Sequence, residues 1–305
     1  MERPESRDVP AKLSGRLSGY LAILVGAFLF GMWATVGKFA LANVPPITLA
    51  WFVQSVTAVA FAPFLGRLRL RGRDWARVAA ASLLGAVAAP AMYFTGLNLT
   101  TPTNAALLSN TEALFTVVFA FLFLKERLAP GGYAAAAAIL AGAVIVTLDL
   151  GSSGGDFAST LLGNVLLILA AMCWGGSNMV TRVMTARHDI PSFLCMQLSI
   201  GSLLLAPIVL LSGNSPFVPA AGVPIAVFLA LAGAAVFAYL LYFSMRRIGA
   251  LQAGAILATS AAFGVAIAVA FGFPFTSVQA LGGGVMALGV VALYRQSTKA
   301  AAAKG

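Results

Sequence analysis

The stretch NAALLSNTEALFTVVFAFLFLKERL, residues 104 to 128, reads as a membrane-spanning run that ends in a charged cluster. An apolar helix of about 20 residues is long enough to cross a bilayer. This run nevertheless places an acid, Glu112, near its middle. An ionised side chain at the bilayer centre costs about 2.5–3.5 kcal/mol on insertion scales. The sequence therefore predicts that Glu112 faces a cavity or a partner instead of lipid.

The composition of the whole chain agrees with a lipid environment. Of its 305 residues, 60% are hydrophobic and 9% are charged, and the mean hydropathy is +0.95. Soluble domains carry about 25% charged residues. Backbone amides in lipid must be satisfied within their own segment, so the apolar runs are expected to be helices.

Ten runs have the length and apolarity of a membrane span, and only short connections separate them. The class predicted is an all-α integral membrane protein with ten transmembrane helices. The runs cover residues 18–38, 46–66, 75–96, 102–124, 131–149, 160–181, 191–211, 223–245, 250–271 and 276–294.

The positive charges predict the orientation of these spans. In a ten-span arrangement with a cytoplasmic N-terminus, all of the 19 Lys and Arg residues except Lys38 fall inside. This asymmetry is typical of the positive-inside rule. We expect both termini in the cytoplasm and a multi-pass protein of the bacterial inner (plasma) membrane. The main role expected for the basic clusters is to set the topology, and binding of anionic lipid headgroups is a secondary one. No nucleic-acid partner is expected.

The chain also contains an internal repeat. GYLAILVGAFLFGMWATVGK (19–38) matches GNVLLILAAMCWGGSNMVTR (163–182), and MYFTG (92–96) matches LYFSM (241–245). Each predicted half has five spans, and because five is odd the second half enters the membrane from the opposite side. Inverted repeats of this kind are a recurrent plan of secondary transporters that work by alternating access.

The repeat divides the chain into five parts. They are a cytoplasmic tail (1–16), a first five-helix repeat (17–149), a linker (150–159), a second five-helix repeat (160–295) and a second cytoplasmic tail (296–305).

The motif FLFLKERLAP (121–130), the five-plus-five plan and the GxxLxxxG-like fifth and tenth spans resemble the drug/metabolite transporter (DMT) superfamily, and more narrowly its EamA-type members. The resemblance implies a ten-helix exporter of amino acids and related metabolites. It gives Glu126 a structural role at the cytoplasmic end of its span. The second half departs from the pattern, because FGFPFTS (271–277) has no acid at the corresponding place.

Glu112 is the first candidate for the substrate site. It could accept a substrate ammonium group or carry a proton, and the alternative is a structural, hydrogen-bonded acid. On a continuous helix, residues 105, 108, 109 and 112 share one face, so Ser109 is expected beside Glu112. Other polar neighbours of Glu112 are expected to form hydrogen bonds between helices.

The remaining candidates are aromatic and polar residues near the middle of other spans, with helix packing as their alternative role. Trp174 and Asn178 lie one helical turn apart and can face one cavity. The candidate set is Phe30, Trp33, Tyr93, Trp174, Ser177, Asn178, Tyr239 and Tyr242. Prolines within spans can act as hinges, and Pro63, Pro90 and Pro207 are the candidates. The Ala- and Gly-rich fifth and tenth spans are expected to pack closely against a neighbouring helix.

The function predicted is a carrier that exports a small metabolite, an amino acid with an apolar or aromatic side chain, around a midplane site. The partners expected are this substrate and membrane lipids, with protons as a candidate coupling ion. No enzyme, cofactor or metal motif is present, so neither catalysis nor a metal site is expected. A carrier of lipophilic cations or drugs would also favour an acid with aromatic walls and stays as an alternative, as does an exporter of other small metabolites.

Overall fold

The computed structural model describes residues 8–67, 70–124, 130–149 and 156–302, and helices make up this part of the chain without any strand. The α-helices are α1 (Asp8–Leu41), α2 (Pro46–Phe61), α3 (Arg73–Ala81), α4 (Ala89–Leu99), α5 (Pro102–Leu108), α6 (Thr111–Leu124), α7 (Pro130–Thr147), α8 (Phe157–Thr185), α9 (Ile190–Leu211), α10 (Val223–Phe228), α11 (Phe237–Ile248), α12 (Ala250–Leu257), α13 (Ser260–Ala270) and α14 (Ser277–Ala302). Two 3-10 segments (Ala62–Arg67 and Ala220–Gly222) and two π-helical segments (Ser82–Ala88 and Leu229–Val236) connect some of them.

Eight helical stretches of the described residues are long and apolar enough to cross a membrane. They are Arg16–Leu41, Pro46–Leu65, Arg73–Leu99, Phe157–Thr185, Ile190–Leu211, Ala220–Ile248, Gln252–Ala270 and Ser277–Gln296, and Gly131–Thr147 is a shorter apolar helix. The all-helical membrane class is thus confirmed, whereas the count of ten spans stays a prediction.

The predicted fourth span is not one continuous helix. It is interrupted at Ser109 and Asn110, between α5 and α6. Polar side chains compete with the backbone here, since the Ser109 hydroxyl donates to the Ala106 carbonyl at 2.7 Å and the Thr111 hydroxyl to the Leu108 carbonyl at 2.7 Å. The expectation that Ser109 and Glu112 share one face of a continuous helix is therefore wrong. Glu112 lies in the first turn of a new helix.

The second half of the chain has irregularities at the matching places. The predicted ninth span is interrupted at Ala258 and Thr259, between α12 and α13. The two π-helical segments also correspond, one within the predicted third span and one within the predicted eighth. Each contains a glycine, Gly85 or Gly233, at a similar position. Such π-helical turns are frequent at functional sites.

Glycines allow the interrupted helices to approach their neighbours closely. A Cβ atom on Gly31 of α1 would lie 2.6 Å from the carbonyl oxygen of Ser260, at the start of α13. A Cβ atom on Gly175 of α8 would lie 2.9 Å from the amide nitrogen of Thr116, in the first part of α6. The long helices α1 and α8 thus each seat the beginning of a half-helix.

The predicted fifth and tenth spans, α7 and α14, pack along each other. Gly142 has no room for a side chain, because a Cβ atom there would lie 2.5 Å from the carbonyl oxygen of Gly282. A Cβ atom on Gly289 would likewise lie 2.9 Å from the carbonyl oxygen of Ala135. The expected close packing of these two helices is confirmed.

A buried polar cluster joins helices of the two halves at the beginning of α5. Gln279 Nε2 donates to Asn104 Oδ1 at 2.8 Å, and Asn104 Nδ2 donates to Asn164 Oδ1 at 3.3 Å. All three side chains are fully buried. The prediction of interhelical hydrogen bonds near Glu112 therefore holds for Asn104, whereas the Thr111 hydroxyl donates to the Leu108 carbonyl of the preceding turn.

Candidate functional site

A cavity of about 120 Å³ lies among α1, α2, α8, α9 and α11, and both π-helical segments border it. Ligand pockets for drug-sized molecules have volumes of roughly 300–1,000 Å³. The cavity is therefore of a size for a small solute. Helices from both predicted halves contribute to its wall.

Glu112 contributes a carboxylate to this cavity. It lies in the first turn of α6, and the N-terminal end of a helix carries partial positive charge. A carboxylate at a helix N-terminus is stabilised by about 0.3–1 kcal/mol. The interruption of the predicted span thus places the acid at the N-terminal end of a helix.

A chain of hydrogen bonds connects this carboxylate to two other helices. Asn178 Nδ2 of α8 donates to Glu112 Oε1 at 2.5 Å, and the Tyr242 hydroxyl of α11 donates to Asn178 Oδ1 at 3.1 Å. All three residues border the cavity. The acid is thus linked through Asn178 of α8 to the Tyr242 hydroxyl of α11.

Side chains of α8 and α9 satisfy backbone carbonyls around the first π-helical segment. Trp174 Nε1 donates to the Gly85 carbonyl at 3.3 Å. Ser177 Oγ and Gln197 Nε2 each donate to the Ala81 carbonyl at 3.1 Å. On the other side, the Thr57 hydroxyl of α2 donates to the Ala230 carbonyl of the second π-helical segment at 3.1 Å. These bonds hold both segments against the cavity.

Aromatic rings form the apolar part of the wall. Phe30 stacks on Phe237 with ring centroids 4.7 Å apart and meets Trp174 edge-on at 6.2 Å. Trp33 stacks on Phe94 at 5.8 Å. Tyr93 lies behind the wall and contacts both tryptophan rings.

The structure brings together most of the side chains that the sequence predicted for one site. The residues that border the cavity are Phe30, Trp33, Pro90, Glu112, Trp174, Ser177, Asn178 and Tyr242. Their role in binding a substrate stays a prediction.

Three predicted residues lie elsewhere. Ser109 is part of the turn between α5 and α6. Tyr93 supports the two tryptophan rings from behind and is not part of the cavity wall. Tyr239 stacks with Phe243 and borders a separate groove, because it points to a different side of α11 from Tyr242.

Two of the three predicted hinge prolines, Pro90 and Pro63, lie at changes in helix geometry. Pro90 is in the first turn of α4, directly after a π-helical segment. Pro63 is in a 3-10 segment after α2, and Pro207 lies inside α9. Whether the chain bends at these places is a prediction. Glu126 of the KER motif lies outside the described residues.

Several residues of the cavity were not predicted from the sequence. Gln54 and Thr57 of α2 and Gln197 of α9 are polar residues inside apolar spans, and this was the signal that could have identified them. Gly85 and Gly233 had no comparable signal, because their importance depends on the π-helical backbone around them.

A comparison with known protein families also divides the chain into the two halves predicted from the internal repeat. The model of the EamA-like transporter family matches residues 17–148 and, separately, residues 161–295. An uncharacterized transporter of Methanothermobacter thermautotrophicus is 27% identical over 303 residues, covering 92% of this chain and 87% of the relative. An uncharacterized transporter of Archaeoglobus fulgidus is 25% identical over 201 residues, covering 63% of this chain and 65% of that protein.

The fold is also shared with a protein of known crystal structure. The two chains superpose with a TM-score of 0.65 at 21% sequence identity, covering 92% of this chain and 95% of the other. Together with the family match over both halves, this confirms the resemblance drawn from the sequence. The chain belongs to the EamA-like transporter family of the DMT superfamily, and it is a multi-pass membrane transporter and not an enzyme.

Proposed function

We propose that this transporter exports amino acids with apolar or aromatic side chains across the inner membrane of a bacterium, by alternating access around the cavity at Glu112. The observation that carries the proposal is the position of the Glu112 carboxylate. It lies at the start of a half-helix, borders a small cavity and accepts a hydrogen bond from Asn178. An acid maintained in this way inside a membrane is suited to a cationic group of a substrate.

The rest of the cavity suits the other parts of an amino acid. Phe30, Trp174 and Phe237 offer an apolar surface for a side chain. The volume of about 120 Å³ favours a small molecule over a drug-sized one. Glu112 is available to a substrate ammonium group, and the same carboxylate could take up a proton when the substrate leaves. This alternation would couple export to a proton gradient.

Alternating access requires two related halves that can move around a shared site. The family model matches each half separately. The helix interruptions at Ser109–Asn110 and Ala258–Thr259 recur at matching positions, as do the two π-helical segments. These features support ten spans arranged as two inverted five-helix repeats.

A second function, export of lipophilic cations, is favoured by one specific observation. The stacked rings of Phe30 and Phe237 lie in the same cavity as the carboxylate of Glu112. Aromatic faces and an acid together attract cations that carry no carboxylate.

The experiment uses the purified full chain in liposomes with an imposed pH gradient. Uptake of a labelled amino-acid mixture is followed, the amino acids that enter are identified, and the measurement is repeated with Glu112→Gln. Loss of one charge-assisted interaction of about 1.5–3 kcal/mol should reduce uptake by roughly 10- to 100-fold.

Asp156→Asn is the matched control, because it removes a carboxylate that caps the start of α8 away from the cavity. Its uptake should remain close to that of the wild type. If Glu112→Gln transports amino acids as the wild type does, with the same response to pH, the role of Glu112 is rejected. Transport of dyes without any transport of amino acids would favour the cation exporter instead.

A further inference from the structure

Two of the buried polar atoms without a hydrogen-bond partner among the described residues belong to side chains that border the cavity. They are Nε1 of Trp33 and Oε1 of Gln197. Trp33 is 7% exposed and Gln197 is 6% exposed, and both side chains border the cavity. Buried polar groups in proteins are almost always paired, and a ligand in the cavity that these two side chains border could supply the missing partners.

The orientation of the Gln197 amide follows from its other bonds. Its Nε2 donates to the Ala81 carbonyl at 3.1 Å and to the Ser177 hydroxyl at 3.1 Å. Both amide hydrogens are thereby used, and a flipped amide would turn an acceptor toward the Ala81 carbonyl. Oε1 is therefore the free atom, and it can only accept.

The orientation of the Trp33 indole is restricted by packing. Its Cε3 atom would lie 2.6 Å from a Cβ atom on Gly233, so this edge of the ring lies directly against the second π-helical segment. One face of the ring stacks on Phe94. Nε1 is on the opposite edge from Cε3, and an indole nitrogen can only donate.

Trp174 provides a contrast within the same cavity. Its Nε1 donates to the Gly85 carbonyl at 3.3 Å, so this indole nitrogen is already used by the protein. Two tryptophans thus contribute rings to one wall, and only that of Trp33 keeps a free donor among the described residues.

We propose that Trp33 Nε1 binds the carboxylate of the transported amino acid, while Gln197 Oε1 accepts a hydrogen bond from its ammonium group together with Glu112. This inference rests on the proposed function and extends it, because it makes the cavity selective for zwitterions. An amine without a carboxylate would leave the Trp33 donor unpaired. A site built to bind a polar group discriminates against an analogue that lacks this group.

The test compares leucine with 3-methylbutylamine, which is leucine without its carboxyl group. Dissociation constants of both are measured by calorimetry on the purified full chain, for the wild type, Trp33→Phe and Trp174→Phe. Phenylalanine keeps an aromatic ring at either position and removes the N–H group. We expect the wild type to bind leucine about tenfold more tightly than the amine, a difference of about 1.4 kcal/mol.

The two variants are expected to behave differently. Trp33→Phe should weaken the binding of leucine about tenfold and leave the binding of the amine nearly unchanged, so that the preference for leucine disappears. Trp174→Phe should change the affinity for both ligands by the same factor, because the N–H group of Trp174 donates to the Gly85 carbonyl. Retained binding of the amine also shows that Trp33→Phe is folded.

Three results would overturn the inference, and they separate it from the proposed function. If Trp33→Phe weakened the binding of leucine and of the amine by the same factor, or weakened neither, Trp33 would be an aromatic wall residue only. Equal affinity of the wild type for leucine and the amine would remove carboxylate recognition but leave Glu112 as a site for the ammonium group. Binding of neither ligand by the wild type would reject this amino-acid specificity altogether.

Discussion

Glu112 shows how the free-energy cost of an acidic side chain within a membrane can be reduced by its surroundings. Its carboxylate lies at the positive end of the half-helix α6 and accepts a hydrogen bond of 2.5 Å from Asn178. The sequence predicted that Glu112 would need a cavity or a partner, and the structure provides both. The apolar run did not predict the half-helix, at whose start the Ser109 and Thr111 hydroxyls donate to carbonyls of the preceding turn.

Lys38, the one basic residue predicted on the outer side, has a structural partner. Its Nζ donates to the carbonyls of Leu97 at 2.9 Å, Asn98 at 3.0 Å and Thr100 at 2.7 Å. These carbonyls lie at the C-terminal end of α4, where a helix carries partial negative charge. The lysine thus connects the end of α1 to the end of α4. This structural role explains why Lys38 is not on the predicted cytoplasmic side with the other Lys and Arg residues.

We predict that Lys38→Met destabilises the protein by about 1.5–3 kcal/mol, because carbonyls that accept from a charged donor lose it. Thermal unfolding in detergent checks this, and the melting temperature should fall by several degrees. Arg187→Met is the control, since Arg187 is exposed in the connection before α9. Equal melting temperatures for the two variants would show that the contacts of Lys38 do not contribute to stability.

At the scale of helices, close packing through glycine positions the half-helices. Gly175 of α8 lies against the backbone of α6 near Glu112 and Thr116, where a Cβ atom would be 3.2 Å from the Glu112 carbonyl oxygen. The same helix carries Asn178, one turn further on. The distance between α6 and α8 therefore determines whether Asn178 reaches the carboxylate.

We predict that Gly175→Ala separates α6 from α8 and weakens the bond between Asn178 and Glu112. Overpacking of this kind costs about 1–3 kcal/mol. Transport should fall together with the melting temperature, and both are measured on the same preparation.

Gly284→Ala is a matched control for this substitution. No atom lies within 4 Å of the position that its Cβ atom would take. Alanine is favoured over glycine in helices by about 1 kcal/mol, so this variant should be neutral or more stable. If Gly175→Ala behaves in the same way, close approach of the two helices is not needed for the site.

At the scale of the whole molecule, the proposed inversion of the two halves can be tested by the sidedness of equivalent connections. The connection after the predicted second span contains Arg71, and the corresponding connection after the predicted seventh span contains Ser215. Both residues are exposed. If the halves are inverted, these equivalent connections lie on opposite sides of the membrane.

We predict that a membrane-impermeant maleimide labels Ser215→Cys in intact cells and labels Arg71→Cys only after the membrane is permeabilised. The natural Cys173 and Cys195 are buried and should give little background. The wild-type chain measures that background. Labelling of both variants in intact cells, or of neither, would contradict the inverted arrangement.

The sequence by itself determined the class of this protein, since composition and charge distribution are sums over the chain that do not depend on packing. It also indicated the repeat and eight of the residues that border the cavity. Only the tertiary structure decided which polar atoms remain free: Trp33 and Trp174 look alike in the sequence, but a carbonyl of Gly85 pairs with one indole and not with the other. That difference arises from contacts between distant helices, and a local sequence pattern does not contain it.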